Sequence, residues 1–228
     1  MKRYVLIVAG GKGLRMGSEL PKQFIPVAGR PVLMHTLERF GQWDASASLI
    51  LVLSDEYRSY WEMLCRELGC RVPHRLASGG ETRFHSVRNG LELVDEAGLV
   101  GVHDGVRPLV APEVISACFA GAERYGAAIP VLPLIDSIRE TGAGGTSRPL
   151  DRNRYVTVQT PQVFRSELLR EAYRQNYTPA FTDDASVVEA MGGEVRTLAG
   201  NRENIKITDA FDLQLAGALL HKTLSIHD

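Results

Sequence analysis

The stretch "AGGKGLRMG", residues 9–17, sets Gly10, Gly11, Gly13 and Gly17 around the cations Lys12 and Arg15. Without side chains, glycines let backbone N–H groups approach phosphate oxygens and form an anion nest. Arg15 can hold a phosphate through two parallel hydrogen bonds. The spacing fits neither G-x-x-x-x-G-K-[ST] nor G-x-G-x-x-G. "PKQF" (21–24) follows at once and adds Lys22 behind Pro21. Cations clustered on one loop can stabilise the charge that builds up in phosphoryl or nucleotidyl transfer.

Other clusters extend that chemistry. In "VHDGVRP" (102–108), Asp104 ends a buried run, and Arg107 lies three residues further on. A carboxylate there suits Mg²⁺, which binds few protein carboxylates and completes its shell with phosphates and water. His103 reads as a packed residue, because no second His has ligand spacing. In "GGETRFHSV" (79–87), Glu81 or Thr82 can cap a helix, and Ser86 lies in its first turns. Both a plain turn with a cap and a base-reading role remain open for Gly80, Glu81 and Ser86. In "GNRENIKIT" (200–208), Lys206 stands between Ile205 and Ile207 and faces away from both. It points to solvent or to a site. "FTDDAS" (181–186) offers Thr182 or Asp183 as a further helix cap.

The elements that must position these residues alternate regularly. "YVLIVA" (4–9), "LILVLS" (49–54), "LVGVHD" (99–104) and "AAIPVL" (127–132) are apolar throughout, as parallel strands covered on both faces should be. Helical patterns separate or follow them at 31–40, 57–68, 83–94, 112–126, 165–176, 183–191 and 209–222, with a further strand at 194–199. The pattern predicts an α/β fold, Rossmann-like, with a mostly parallel sheet covered by helices on both faces. Ligands in such folds bind beyond the carboxyl ends of the strands, where the clusters above lie. The rhythm breaks over 136–160, where "GAGG" is flanked by the strand-like "SIRET" and "RYVTVQT". This predicts a long β-hairpin projecting from one domain that spans 1–228. Its exposed edges favour a dimerisation arm.

Bulk composition sets limits. Hydrophobic residues make up 44% and charged residues 23%, as in ordinary globular proteins. The net charge of -1 points to neither nucleic acid nor an anionic membrane. Cys65, Cys70 and Cys118 contain no C-x-x-C pair and read as small, packed thiols in a reducing compartment. The apolar start is too short for a membrane segment, so a cytoplasmic location is expected.

Taken in order, "AGGKGLRMG…PKQF", "GGETRFHSV", "VHDGVRP", "DRN…TPQVF", "TDDAS" and "NIKIT" resemble the 2-C-methyl-D-erythritol 4-phosphate cytidylyltransferase family. The resemblance runs from roughly residue 4 to residue 220. It implies attack of the methylerythritol 4-phosphate on the α-phosphate of CTP, with release of pyrophosphate, in non-mevalonate isoprenoid synthesis. By that resemblance Gly11, Lys12 and Gly13 wrap the triphosphate. Arg15, Lys22 and Lys206 are the catalytic cations. Ala9, Gly10, Gly80, Glu81 and Ser86 contact cytidine, and Gly105 lies near the ribose. Asp104 assists Mg²⁺ on the methylerythritol phosphate side, together with Arg107, Thr182 and Lys206. Ser137, Arg152 and Thr160 reach the substrate of a partner subunit in a homodimer. The chain departs from the family pattern at Val8, Gly10, Glu81, Ser137 and Gly105-Val106. Its "GVRP" and its glycine-rich start are shared with ribitol-5-phosphate cytidylyltransferases, so ribitol 5-phosphate is the alternative acceptor. A non-catalytic nucleotide-binding module would need the loop but not Lys22, Asp104 and Lys206 together.

Overall fold

A computed structural model describes residues 1–11 and 20–224, with side chains as far as Leu220. In chain order the elements are β1 (Lys2–Ala9), β2 (Pro26–Val27), β3 (Arg30–Pro31), α1 (Val32–Trp43), β4 (Ser48–Leu53) and α2 (Arg58–Glu67). Then come β5 (Arg75–Ser78), α3 (Arg83–Leu91), β6 (Gly98–Asp104), α4 (Pro112–Tyr125) and β7 (Ala127–Pro133). The chain continues through β8 (Arg139–Thr141), β9 (Ser147–Pro149), β10 (Val156–Val158), β11 (Gln162–Arg165) and α5 (Ser166–Ala172). It closes with α6 (Asp184–Glu189), β12 (Arg196–Ala199) and α7 (Ala210–Leu224).

The main sheet has eight strands in the order β10-β7-β11-β6-β1-β4-β5, with β12 also paired to β7. β1 lies between β4 and β6, parallel to both. Residues Tyr4, Val5, Leu6 and Ile7 are fully buried, which explains why the run is apolar at every position rather than every second one. Its side chains alternate between two cores. Val5 and Ile7 pack with Leu33, Leu37, Phe40 and Trp61 on one face. Tyr4 and Leu6 pack with Phe84, Val87 and Leu91 on the other. Helix α3 sits so close that a Cβ on Gly90 would stand 2.8 Å from Val52 and 2.9 Å from Leu6. A smaller cluster of Val27, Val32, Val106, Ile207 and Ala216 ties α7 to the cleft end of the sheet.

The expected Rossmann-like α/β sheet, mostly parallel and covered on both faces, is therefore present. Its antiparallel members are β11, which runs against β6 and β7, and β10, which runs against β7. One detail differs from expectation: the 136–160 segment is not one hairpin of "SIRET" against "RYVTVQT". Arg139–Thr141 pairs with Ser147–Pro149, while Val156–Val158 returns to β7. The reason is local. Gly144 and Gly145 adopt φ values of 65° and 77°, and the Gly142 N–H bonds the Thr146 carbonyl at 2.8 Å. That turn closes on the residues immediately beside it. It leaves the later run free to fill the open edge of β7.

Candidate active site

The loops after β1, β5 and β6 and the 200–208 segment converge on a cleft of about 630 Å³, within the range for small-molecule sites. Its floor is a glycine cradle. A Cβ on Gly10 would lie 3.0 Å from Ser86 Oγ and 3.2 Å from Gly79 Cα. The turn after β5 therefore rests directly on the exit of β1. Ser86 fixes that turn, since its hydroxyl accepts from the Gly80 N–H at 2.9 Å and donates to the Thr82 carbonyl at 3.0 Å. Thr82, not Glu81, caps α3 by accepting from the His85 N–H. Gln23 is buried and donates to the carbonyls of Ala9 and Gly11 at 3.1 and 3.3 Å. It anchors both ends of the cradle's first strand exit.

Asp104 is the electrostatic hub. It ends β6 and is 7% exposed. Its Oδ2 faces Lys206 Nζ at 3.0 Å and Arg107 Nε at 3.3 Å, and its Oδ1 faces Arg83 Nε at 3.4 Å. Burial works to raise its pKa, but the charges of Arg83, Lys206 and Arg107 outweigh it and hold the carboxyl well below the usual range. With Arg83 balanced by Asp184, Asp104 faces the two further cations Arg107 and Lys206, so the cluster is net positive. With Lys22 on the same cleft, the site suits a polyanion. Behind Asp104, the Thr160 hydroxyl accepts from the Asp104 N–H at 3.1 Å. It donates to His103 Nδ1 at 3.0 Å, and His103 Nε2 donates to the Arg107 carbonyl at 3.0 Å. Those roles follow from the carbonyl, which can only accept. Burial pushes the His103 pKa down to about 4, so the ring is neutral and holds this tautomer. It packs edge-on against Phe40, as a structural residue rather than a ligand.

The cleft gathers Ala9, Gly10, Gly11, Lys22, Gly80, Glu81, Ser86, Asp104 and Lys206 of the expected set. Gly105 lies beneath, where a Cβ would stand 3.0 Å from Ala9 and from Leu33. Arg107 faces inward and also donates to the Asn204 carbonyl at 2.8 Å. Thr182 is exposed, and Asp183 is the cap of α6, in a reciprocal pair with Ser186. Ser137 and Arg152 are exposed on the arm, with Arg152 donating to the Ile135 carbonyl. Thr160 follows β10 back to the sheet beside Asp104 and is 5% exposed, with its hydroxyl engaged on both sides. Lys12, Gly13 and Arg15 lie outside the described residues.

Sequence reasoning missed Arg83, Asp184 and Gln23. Arg83 forms two hydrogen bonds with fully buried Asp184, at 3.0 and 2.7 Å. The only available signal was their presence inside "GGETRFHSV" and "TDDAS". Among the described residues, no group of three or more His, Cys, Asp or Glu side chains could hold a metal ion. Asp104 and Glu81 are the carboxylates on the cleft, too few for an all-protein cage, so an ion held there would be a hard one that arrives with phosphate oxygens and keeps its water, as Mg²⁺ does. Among the described residues no helix is long and apolar enough to cross a membrane.

Comparison with known proteins adds independent findings. A family model described as 2-C-methyl-D-erythritol 4-phosphate cytidylyltransferase matches residues 4–222. The protein of that name from Bacteroides thetaiotaomicron is 59% identical over 220 residues, covering 96% of this chain and 100% of its own. That from Porphyromonas gingivalis ATCC 33277 is 56% identical over 221 residues, covering 96% of this chain and 98% of its own. The crystal structure of the Thermus thermophilus enzyme of the same name matches with a TM-score of 0.77 at 34% identity, covering 97% of this chain and 100% of that one. The 4-diphosphocytidyl-2C-methyl-D-erythritol synthase of Anaerococcus prevotii matches with a TM-score of 0.82 at 26% identity, covering 96% and 98%.

Proposed function

This chain belongs to the 2-C-methyl-D-erythritol 4-phosphate cytidylyltransferase family, and from that premise we propose how its cleft carries out the reaction. The enzyme transfers CMP from CTP to 2-C-methyl-D-erythritol 4-phosphate in isoprenoid biosynthesis. One oxygen of the 4-phosphate forms a bond to the α-phosphorus, the bond to the β-phosphate oxygen breaks, and pyrophosphate leaves. No proton transfer from carbon and no covalent enzyme intermediate is needed. The work is positioning and charge stabilisation.

The observation that carries this reading is the convergence of Asp104, ringed by cations, with Lys22 and the Gly10–Gly80–Ser86 cradle on one cleft. The cradle, with Ala9, Gly11 and Glu81, receives cytidine through backbone groups, and Gly105 supports the ribose. Lys22, with Arg15, stabilises the crowded α-phosphate, and Lys12 and Gly13 belong to the loop around the triphosphate. Asp104 would hold Mg²⁺, which when bound supplies charge neutralisation of the phosphates. Arg107, Lys206 and Thr182 hold the methylerythritol phosphate. Thr160 holds the Asp104 backbone in place.

The arm completes the reading. One nucleotidyltransferase domain spans 1–228, with the 136–160 arm as its projection and two copies paired through it. Ile135, Tyr155, Val156 and Val158 are 62%, 45%, 48% and 40% exposed, an apolar strip that a second copy would cover. Ser137 and Arg152 would then face the partner's cleft. Free thiols at Cys65, Cys70 and Cys118 suit a cytoplasmic setting. The ribitol 5-phosphate alternative is not favoured, because the family model and the relatives all carry the methylerythritol name. A pyrophosphate-release assay with CTP, Mg²⁺ and either polyol phosphate tests the assignment. Release with methylerythritol 4-phosphate is expected. Release with ribitol 5-phosphate alone would overturn the acceptor, and no release with either would overturn the reaction.

A further inference from the structure

Arg83 joins two carboxylates that the reaction does not otherwise connect. Its terminal nitrogens bond Asp184 Oδ1 and Oδ2 at 3.0 and 2.7 Å, and its Nε faces Asp104 Oδ1 at 3.4 Å. We propose that Arg83 is a positioning residue for Asp104, locked in that task by Asp184 and Tyr173. The inference rests on the reading that Asp104 serves the transfer.

The geometry supports orientation rather than simple attraction. A guanidinium presents its N–H groups in a rigid planar fork. Two bonds to one carboxylate therefore fix its plane, and the Nε direction follows. Asp184 is itself held. It is 0% exposed, and the Tyr173 hydroxyl donates to its Oδ1 at 2.6 Å. The Tyr173 ring stacks on Phe84, next to Arg83, at 4.7 Å between centroids. The neighbouring cap, Asp183, accepts from Gln162 Nε2 at 2.8 Å, and the Ala185 N–H donates to Gln162 Oε1 at 2.8 Å. The clamp thus draws on α3, the C-cap of α5, α6 and β11.

A purely structural ion pair would need only Asp184. Arg83 instead keeps a side chain 28% exposed and borders the cleft. It serves Asp104 Oδ1 alone, while Oδ2 is shared by Arg107 and Lys206. Lys206 is 43% exposed at its side chain and cannot fix a plane through one contact. The Arg83–Asp184 pair adds no net charge to the rim. What it contributes to Asp104 is direction.

A double-mutant cycle tests this. Arg83→Lys keeps the charge but loses the fork. It should lower kcat about tenfold with the KM for CTP changed by no more than about twofold. In an Asp104→Asn background, the same substitution should add less than about a twofold further loss. Full kcat in Arg83→Lys, or equal losses in both backgrounds, overturns the positioning role and leaves the site reading intact. Wild-type kcat in Asp104→Asn overturns the site reading itself, and the inference with it. Should Arg83→Lys fail to fold, the neutral pair Arg83→Gln with Asp184→Asn replaces it in the same cycle, with the same expected and overturning results.

Discussion

The cleft and the arm are both built from glycine-marked loops beyond the carboxyl ends of strands, yet they differ in what holds them. In the cleft, Asp104, Thr160, His103 and Ser86 are all buried, and each is fixed by bonds to other elements. In the arm no residue from 135 to 158 is buried. Its ladder has three residue pairs, Arg139 with Pro149, Glu140 with Arg148 and Thr141 with Ser147. A two-stranded hairpin of that size is marginal by itself. The described side chains of the cleft hold one another in place, which suits catalysis by fixed charges. The arm has apolar surface and little internal support, which suits a segment ordered against a second copy. Substitutions should therefore act on chemistry and folding in the cleft, and on association in the arm.

The largest effect is expected at Lys22. Lys22→Ala should reduce kcat by about 10²–10³-fold if its charge stabilises the transition state at the α-phosphate. The KM for CTP should move far less. Steady-state kinetics of pyrophosphate release gives both numbers, and a change confined to KM would sink the catalytic role. Thr160→Val comes next and probes the support rather than the rim. It strands the buried Asp104 N–H and His103 Nδ1 without a partner. That costs about 1–3 kcal/mol, seen by calorimetry as a fall in Tm of roughly 2–12 °C for a chain of this size. Thr160→Ser should restore most of it. An unchanged Tm in Thr160→Val would show that the hydroxyl relay carries no weight.

How far each region was legible in the sequence follows the same division. β1, β4, β6 and β7 were readable because burial on both faces made them apolar runs. β5 left no apolar run, since of Arg75–Ser78 only Ala77 is buried, and only the turn "GG" that follows it marked its end. β11 hid in "TPQVF" because its direction depends on partners far along the chain. In the site, Lys22, Asp104 and Lys206 were visible from residue type and loop position. Arg83 was not, because the residue that gives it meaning, Asp184, lies 101 positions away. Gln23 was missed because its bonds go to backbone carbonyls, which leave no mark on the sequence. Side chains that touch ligands tend to be chemically distinctive. Those that hold them in place are recognisable only once distant elements meet.

The arm should respond differently. Val156→Lys places a charge on the exposed apolar strip of β10, where Val156 is 48% exposed. In the monomer this costs little, so Tm at low concentration should hold. A second copy would have to desolvate the ammonium, and dimerisation measured by sedimentation should weaken about tenfold or more. Undiminished dimerisation would remove β10 from the interface.

The smallest effect marks the other limit of the comparison. Glu140 and Arg148 form an ion pair across the arm's ladder, with side chains 50% and 74% exposed. Exposed pairs of this kind contribute about 0–1 kcal/mol at most, because water screens them and both side chains lose freedom. Arg148→Ala should therefore leave Tm and kcat unchanged within error, if the tip meets only solvent. A loss of dimer without a loss of Tm would place the tip in the interface as well. A clear fall in the monomer's Tm would contradict the contrast itself, since it would mean that the arm holds structure of its own.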